Sequence, residues 1–336
     1  MSVLPAPKVS RAVFVERLPG YAGQALLLGV VAWVVWRGVS NFAANAHALR
    51  LSIGFGFLRT QAGFEIAQSL IAFSPASSYL DAIVVAVLNT LLVVALAGAL
   101  STLIGLWIAF GRSAPSGLVR GASTVYVEVF RNIPLLLQIL FWYFSAIALL
   151  PGVGDSIQFG AVLLNNRGLF LPRLTLVHGA LALDRPHVNG FDVSGGIALL
   201  PELMALTLAL SIYNSTFLAE IFRAGILSVP RGQIEAAATV GLSGVRAALL
   251  ITLPQALRVA LPAAGGQYQT LAKASSLAAA IGYPDIMQIV GGTVASQTSQ
   301  ALEAMALVVL LYAVINLVIA VLASLANGHL QRREGC

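Results

Sequence analysis

The sequence is short of charge, of lysine and of cysteine. Of its 336 residues only 10% are charged and 58% are hydrophobic, with a mean hydropathy of +0.89. Soluble domains carry roughly 25% charge. The shortage therefore excludes a cytosolic enzyme, a secreted disulfide scaffold, a disordered tail and a nucleic-acid reader together. The single cysteine, Cys336, can form no intrachain disulfide and no thiolate cluster. The four histidines, His47, His178, His187 and His329, fall in polar stretches and read as solvated, so no metal site is expected. The two lysines, Lys8 and Lys273, follow Pro7 and Ala272, whereas a Walker phosphate loop needs Gly before its Lys. No cofactor is expected on this chain, and any nucleotide hydrolysis must be supplied by another subunit.

What the sequence has instead is long apolar runs. A hydrocarbon core about 30 Å thick takes about 20 apolar residues in helical form, because each backbone amide must be paired within the segment. Six stretches qualify: Gln24–Val39, Ala82–Phe110, Ala122–Leu150, Ile197–Ile226, Leu261–Val290 and Leu302–Ala326. With the amino terminus inside, Lys8, Arg11, Arg17, Arg112, Arg120, Arg231, Arg246, Arg258, Arg332 and Arg333 are cytoplasmic. Arg37, Arg50, Arg59, Arg167, Arg173 and Arg185 are then outside, and ten cations against six place both termini in the cytoplasm. The first span lacks a clean cleavage site and reads as uncleaved. Trp33, Trp36, Trp142 and Tyr143 fall toward the outer halves of their spans, as headgroup anchors do.

The expected organisation is a cytoplasmic amino terminus over 1–23, a first helix over 24–39 and an external insertion over 40–81. A five-helix transmembrane domain over 82–326 and a cytoplasmic tail over 327–336 follow. Within that domain lie a second external insertion, 151–196, and a cytoplasmic loop, 228–258. The second insertion carries the turn formers PGVGD, NNRG, DRP and VNGFDVSGG, so a small irregular cap or hairpin is expected there.

The cytoplasmic loop reads VPRGQIEAAATVGLSGVRAALLITLPQALRVALP. Glu235 to Val240 favours helix, Gly241 supplies a positive φ, Ser243 can cap a following helix, and Pro254 interrupts that helix. The order Glu235-Ala236-Ala237, Gly241, then Ile251, Leu253 and Pro254 resembles the EAA loop of ABC importer permeases at every signature position. VEVFRNIPLLLQILFWYF, SIYNSTFLAEIFRAGILSVPRGQIEAA and SSLAAAIGYPDI narrow the resemblance to the polar amino acid group. IGFGFLRTQAGFEI and the external insertions are similar to the larger, Q-type permease of general L-amino acid transporters of Gram-negative bacteria. The likeness runs over about residues 20 to 330, and Ala274 departs from the polar residue usual between Lys and Ser-Ser.

The resemblance implies an all-α polytopic membrane protein with the type I ABC importer permease fold and about six transmembrane helices, set in the bacterial inner membrane. It also implies partners: ABC ATPase subunits, a second permease subunit (a homologous M-type chain or another copy), and a periplasmic amino-acid-binding protein. The work implied is import of an L-amino acid by alternating access, with the loop docking on the ATPase and no chemistry done on the substrate.

Ionisable side chains in spans are costly and tend to face a cavity or a partner. Glu128 and Arg131, and Glu220 and Arg223, are each three apart and can share a helix face as structural or pathway ion pairs. Candidates to meet a zwitterionic substrate are Gln138, Asn214, Ser215, Thr216, Lys273 and Ser275, with helix–helix hydrogen bonding as the open alternative for each. An ion-coupled secondary amino acid transporter is the competing function, and would require two related halves with titratable residues near the midplane. An intramembrane enzyme would need a nucleophile and base or metal ligands in its spans, which hold no histidine.

Overall fold

A computed structural model describes residues 54–332 apart from 178, 179 and 243, together with 23–34, 36–38, 40, 41 and 44. Lys8, Arg11, Arg17, His47, Arg50, His178, Ser243, Arg333 and Cys336 lie outside the described residues. The chain divides into two units, Met1–Gly54 and Phe55–Cys336. In the first, α1 (Gly23–Gly38) is an apolar helix.

The second unit opens with a 3-10 turn, Gly56–Arg59, and a loop that packs Phe57, Phe64 and Phe73 around Tyr79. α2 (Tyr79–Arg112) then begins at a reciprocal cap. The Asp81 amide donates to Ser78 Oγ at 3.3 Å, and Asp81 Oδ2 accepts from the Ser78 amide at 2.9 Å. Its 34 residues extend about 51 Å, beyond the expected Ala82–Phe110 at both ends.

The expected third span, Ala122–Leu150, is corrected: it is two helices, α3 (Gly117–Asn132) and α4 (Leu135–Leu149), bent by 99°. Pro134 stands in the break and keeps Ile133 extended, at φ −84° and ψ 125°. The carbonyls freed at the end of α3, those of Phe130 and Ile133, accept from Gln138 Nε2 at 2.8 and 3.0 Å.

The insertion after α4 is β structure made of short antiparallel hairpins. Strands β1 (Ile157–Phe159), β2 (Val162–Asn165), β3 (Gly168–Leu171) and β8 (Ile197–Leu199) form one sheet in that order. The hairpins β4 (Arg173–Val177) with β5 (Ala180–Asp184), and β6 (His187–Asn189) with β7 (Asp192–Ser194), lie between. The turn-rich text anticipated hairpins but not the four-stranded sheet. Ile197–Leu199 pairs with β3, so the fourth span starts at Pro201 rather than Ile197, with the proline at a helix start where no N–H is needed.

α5 (Pro201–Leu227) leads through three residues into α6 (Arg231–Thr239). α7 (Val245–Ala247), a π-helical turn Ala248–Thr252, α8 (Leu253–Ala274) and a 3-10 segment Ser275–Ile281 then follow one helical course. Two expectations are corrected here. Pro254 does not interrupt the helix, because the wider π turn before it carries the chain into α8 with the proline in its first turn. The fifth span is also not Leu261–Val290: it runs Val245–Ile281 and ends at Gly282, whose φ is +76°. A second π segment, Met287–Val294, and α9 (Ala295–Thr298) lead to α10 (Ala301–Arg332), which overruns the expected end at Ala326.

Among the described residues four helices are long and apolar enough to cross a membrane, and five with the bent pair counted as one span. They pack closely where side chains are missing. Gly105 of α2 leaves room for Leu218 of α5, Gly265 of α8 for Ala323 of α10, and a methyl at Gly225 of α5 would overlap the Ala256 carbonyl of α8. Gly225→Ala is therefore expected to cost about 1–3 kcal/mol by overpacking. Gly121→Ala, on open space in α3, should be neutral or stabilising by about 0.4–1 kcal/mol. Thermal unfolding of the two variants in detergent checks the contrast.

Candidate functional site

Three clusters of polar residues lie at different levels of the bundle. The first is the loop between α5 and α8. Ser228 closes α5, donating its hydroxyl to the Gly225 carbonyl at 2.7 Å, and Val229 is buried as an anchor. α6 then leaves the bundle, burying only Ala237. Glu235 and Ala236 are exposed, and Ile234 and Val240 show 42% and 74% of their surface. The helix ends with the Leu242 amide on the Ala237 carbonyl at 2.9 Å around Gly241, whose φ of +82° only glycine adopts freely. Gln255 of α8 donates to Gln233 of α6, tying the loop to the stem that follows it. Ile251 lies in the π turn, and Leu253 and Pro254 open α8.

The second cluster sits at the same end of α5. Glu220 accepts from Arg112 at the end of α2 with one oxygen, and from Arg223 Nε at 3.0 Å with the other. One carboxylate thus serves two guanidinium groups. Glu128 acts on Arg112 electrostatically, and the Arg131 guanidinium lies 4.9 Å from the centre of the Phe217 ring. Glu220 and Arg223 are therefore bonded, whereas Glu128 and Arg131 face different neighbours. Arg112 was counted only as a loop charge in the sequence. No local spacing links it to Glu220, which lies 108 residues away.

The third cluster is the polar interior. Asn214 Nδ2 donates to Ser101 Oγ at 2.9 Å and its Oδ1 accepts from Gln267 Nε2 at 2.7 Å, joining α5, α2 and α8. Ser215 Oγ meets Tyr126 OH at 2.8 Å, Thr216 donates to the Tyr213 carbonyl at 2.7 Å, and Ser275 to that of Ala272 at 2.8 Å. All four of these candidates are buried, and Gln138 is engaged at the α3–α4 break.

Lys273 is different: it is exposed. It lines a groove of about 490 Å³ between α8 and α10 with Gln269, Ser276, Tyr312 and Asn316. Gln269 donates to the Asn316 carbonyl at 3.1 Å, and Asn316 to that of Tyr312 at 2.8 Å. Behind this wall Asp285 is 1% exposed and accepts from Tyr312 OH at 2.9 Å. Asp285 and Tyr312 were missed in the sequence. The signal available was an acid set among apolar neighbours in GYPDI, with nothing to say which helix it would meet.

Comparison with known proteins follows the same lines. Residues 101–333 match the family model described as binding-protein-dependent transport system inner membrane component. The chain is 37% identical to the putative amino-acid ABC transporter permease protein YhdX of Escherichia coli (strain K12), with 90% of each chain covered. It is also 37% identical to the general L-amino acid transport system permease protein AapQ of Rhizobium johnstonii, covering 90% of this chain and 88% of that one. Against a solved amino acid ABC transporter crystallised with histidines the TM-score is 0.53 at 25% identity, covering 75% of this chain and 95% of that one. A solved MetNI methionine ABC transporter in an inward-facing conformation shares the fold, with a TM-score of 0.54 at 18% identity over 75% and 97% of the two chains.

Removing the shared carboxylate leaves Arg112 and Arg223 opposed, with only Glu128 still acting on Arg112. Glu220→Gln is expected to cost about 1–3 kcal/mol, the partly exposed site tempering the figure for a buried pair. Adding Arg112→Gln to it is expected to cost less than the sum of the single changes. Unfolding midpoints of the two single variants and the double variant in detergent decide this.

Proposed function

The chain belongs to the family of binding-protein-dependent transport system inner membrane components, and on that premise we propose that it moves L-amino acids from periplasm to cytoplasm by alternating access. A separate ATPase drives the cycle through α6. The observation that carries this reading is α6 itself, a nine-residue helix that buries only Ala237. Isolated helices shorter than about 12–15 residues are marginal in water, so a helix held this far out of the bundle calls for a partner. Glu235, Ala236 and Ala237, with the bend at Gly241, form the face presented to the ATPase. Ile251, Leu253 and Pro254 begin the stem that receives the movement.

In this reading the bundle over 82–326 is the transport domain and the loop over 228–258 is cytoplasmic, as are 1–23 and 327–336. The insertions over 40–81 and 151–196 are periplasmic, facing the binding protein that delivers substrate. Glu128, Arg131, Glu220 and Arg223 hold the helices together just above the loop. The groove at Lys273 lies on the substrate path: an ammonium without an ion-pair partner among the described residues is costly in a membrane helix unless it meets water or an anion. An amino acid's carboxylate supplies that anion. Gln138, Asn214, Ser215, Thr216 and Ser275 support the path through the helix contacts described above. A second permease, another copy or a homologue, closes the path from the other side.

Two measurements test the proposal. Vesicles bearing this chain alone are expected to show no uptake of labelled L-glutamine. In the assembled transporter Glu235→Lys is expected to lower uptake at least about tenfold, the scale of losing a charge-assisted contact at an interface, with the subunit still inserted. Normal uptake by that variant would end the docking role of α6.

A further inference from the structure

Tyr312 has two environments. It lines the polar groove beside Lys273, while its hydroxyl is committed as a donor to Asp285 Oδ2 at 2.9 Å behind the groove wall. Asp285 is fixed in turn. Its Oδ1 accepts the Gln288 amide at 2.8 Å, at the start of the π segment Met287–Val294, and the amide of the next residue, Ile286, donates to Thr90 Oγ1 at 3.2 Å. On the other side, Asn89 Nδ2 donates to the Pro284 carbonyl at 3.0 Å, and Tyr283 OH to the Asn89 carbonyl at 3.2 Å. The carboxyl is thus held from the π segment and from α10, and the backbone on either side of it from α2. None of these contacts brings it a cation. It also lies outside the coupling loop and outside the Glu220 cluster, so neither of those roles accounts for it.

From this placement we infer that Asp285 is a positioning residue for the substrate groove, acting through Tyr312, and that together they complete a bipolar site for a zwitterionic α-amino acid. The inference rests on the groove being part of the substrate path. Lys273 supplies the positive pole, for the substrate carboxylate. With its hydroxyl drawn back to Asp285, Tyr312 offers the groove its ring, and a ring backed by a carboxylate favours a cation over its face. The substrate's ammonium group is that cation. Poles of opposite sign on the two helices, α8 and α10, would accept any α-amino acid by the groups all of them share. Such a site fits a carrier one of whose relatives is named for general L-amino acid transport.

The test uses the assembled transporter in proteoliposomes with labelled L-glutamine and binding protein titrated to saturation, comparing the saturated turnover with the binding-protein concentration at half-maximal uptake. Asp285→Asn and Tyr312→Phe are each expected to lower turnover about tenfold, the scale of one hydrogen bond to a charged group, and to leave the half-maximal concentration unchanged. The double variant is expected to be no worse than either single one, because the two act as a unit. Multiplying losses, of about a hundredfold in the double variant, would overturn the inference, as would wild-type turnover in Tyr312→Phe. That second variant removes the same bond without altering the buried carboxyl, so it carries the test even if Asp285→Asn fails to accumulate in the membrane. Lys273→Met separates the two levels. A loss of turnover there together with normal Tyr312→Phe sinks only the positioning role, whereas wild-type turnover in Lys273→Met removes the groove from the path and the inference with it.

Discussion

Backbone polar groups cannot be left bare inside a bilayer, and the irregular parts of this bundle are arranged around that constraint. At the break before Pro134 and after Gly282, side chains take up the freed groups. Gln138 bonds the two carbonyls exposed by the break before Pro134. Asn89 and Asp285 serve the carbonyl and the amide on either side of the segment after Gly282. Polar residues within the spans are thus first a means of keeping non-helical backbone inside the membrane. What remains after that duty, Lys273 above all, is what the proposed substrate path draws on.

The functional elements divide along the same line. Contacts made within one stretch of chain, such as the Ala-rich α6 and the glycine that ends it, depend on neighbours in sequence and were legible there. So was the family, because the loop's signature positions lie within about twenty residues of one another. The pairing of Glu220 with Arg112, and of Tyr312 with Asp285, depends on which helices lie side by side, and composition carries no record of that. Fold class was readable from hydropathy with the resemblance added, but span ends were not. Hydropathy does not distinguish an apolar strand such as Ile197–Leu199 from the first turn of a helix, nor a bend at Pro134 from an unbroken span of the same residues.

The second insertion shows a different limit. Its glycines and asparagines announced turns, and turns are what the hairpins have, but the registry of β1, β2, β3 and β8 joins residues up to 30 apart. Closing such a sheet places the end of α4 and the start of α5 on one small platform, since β1 follows the first and β8 precedes the second.

The close approach at Gly225 bears on how the loop can move. α5 and α8 are the two stems of the loop that carries α6, and at Gly225 and Ala256 nothing but backbone separates them. So close a crossing leaves the stems no side chain to slide on at their base. In the coupling role proposed for α6 the stems would therefore swing together as a single crank, and a small tilt imposed at the loop would grow with distance from the crossing.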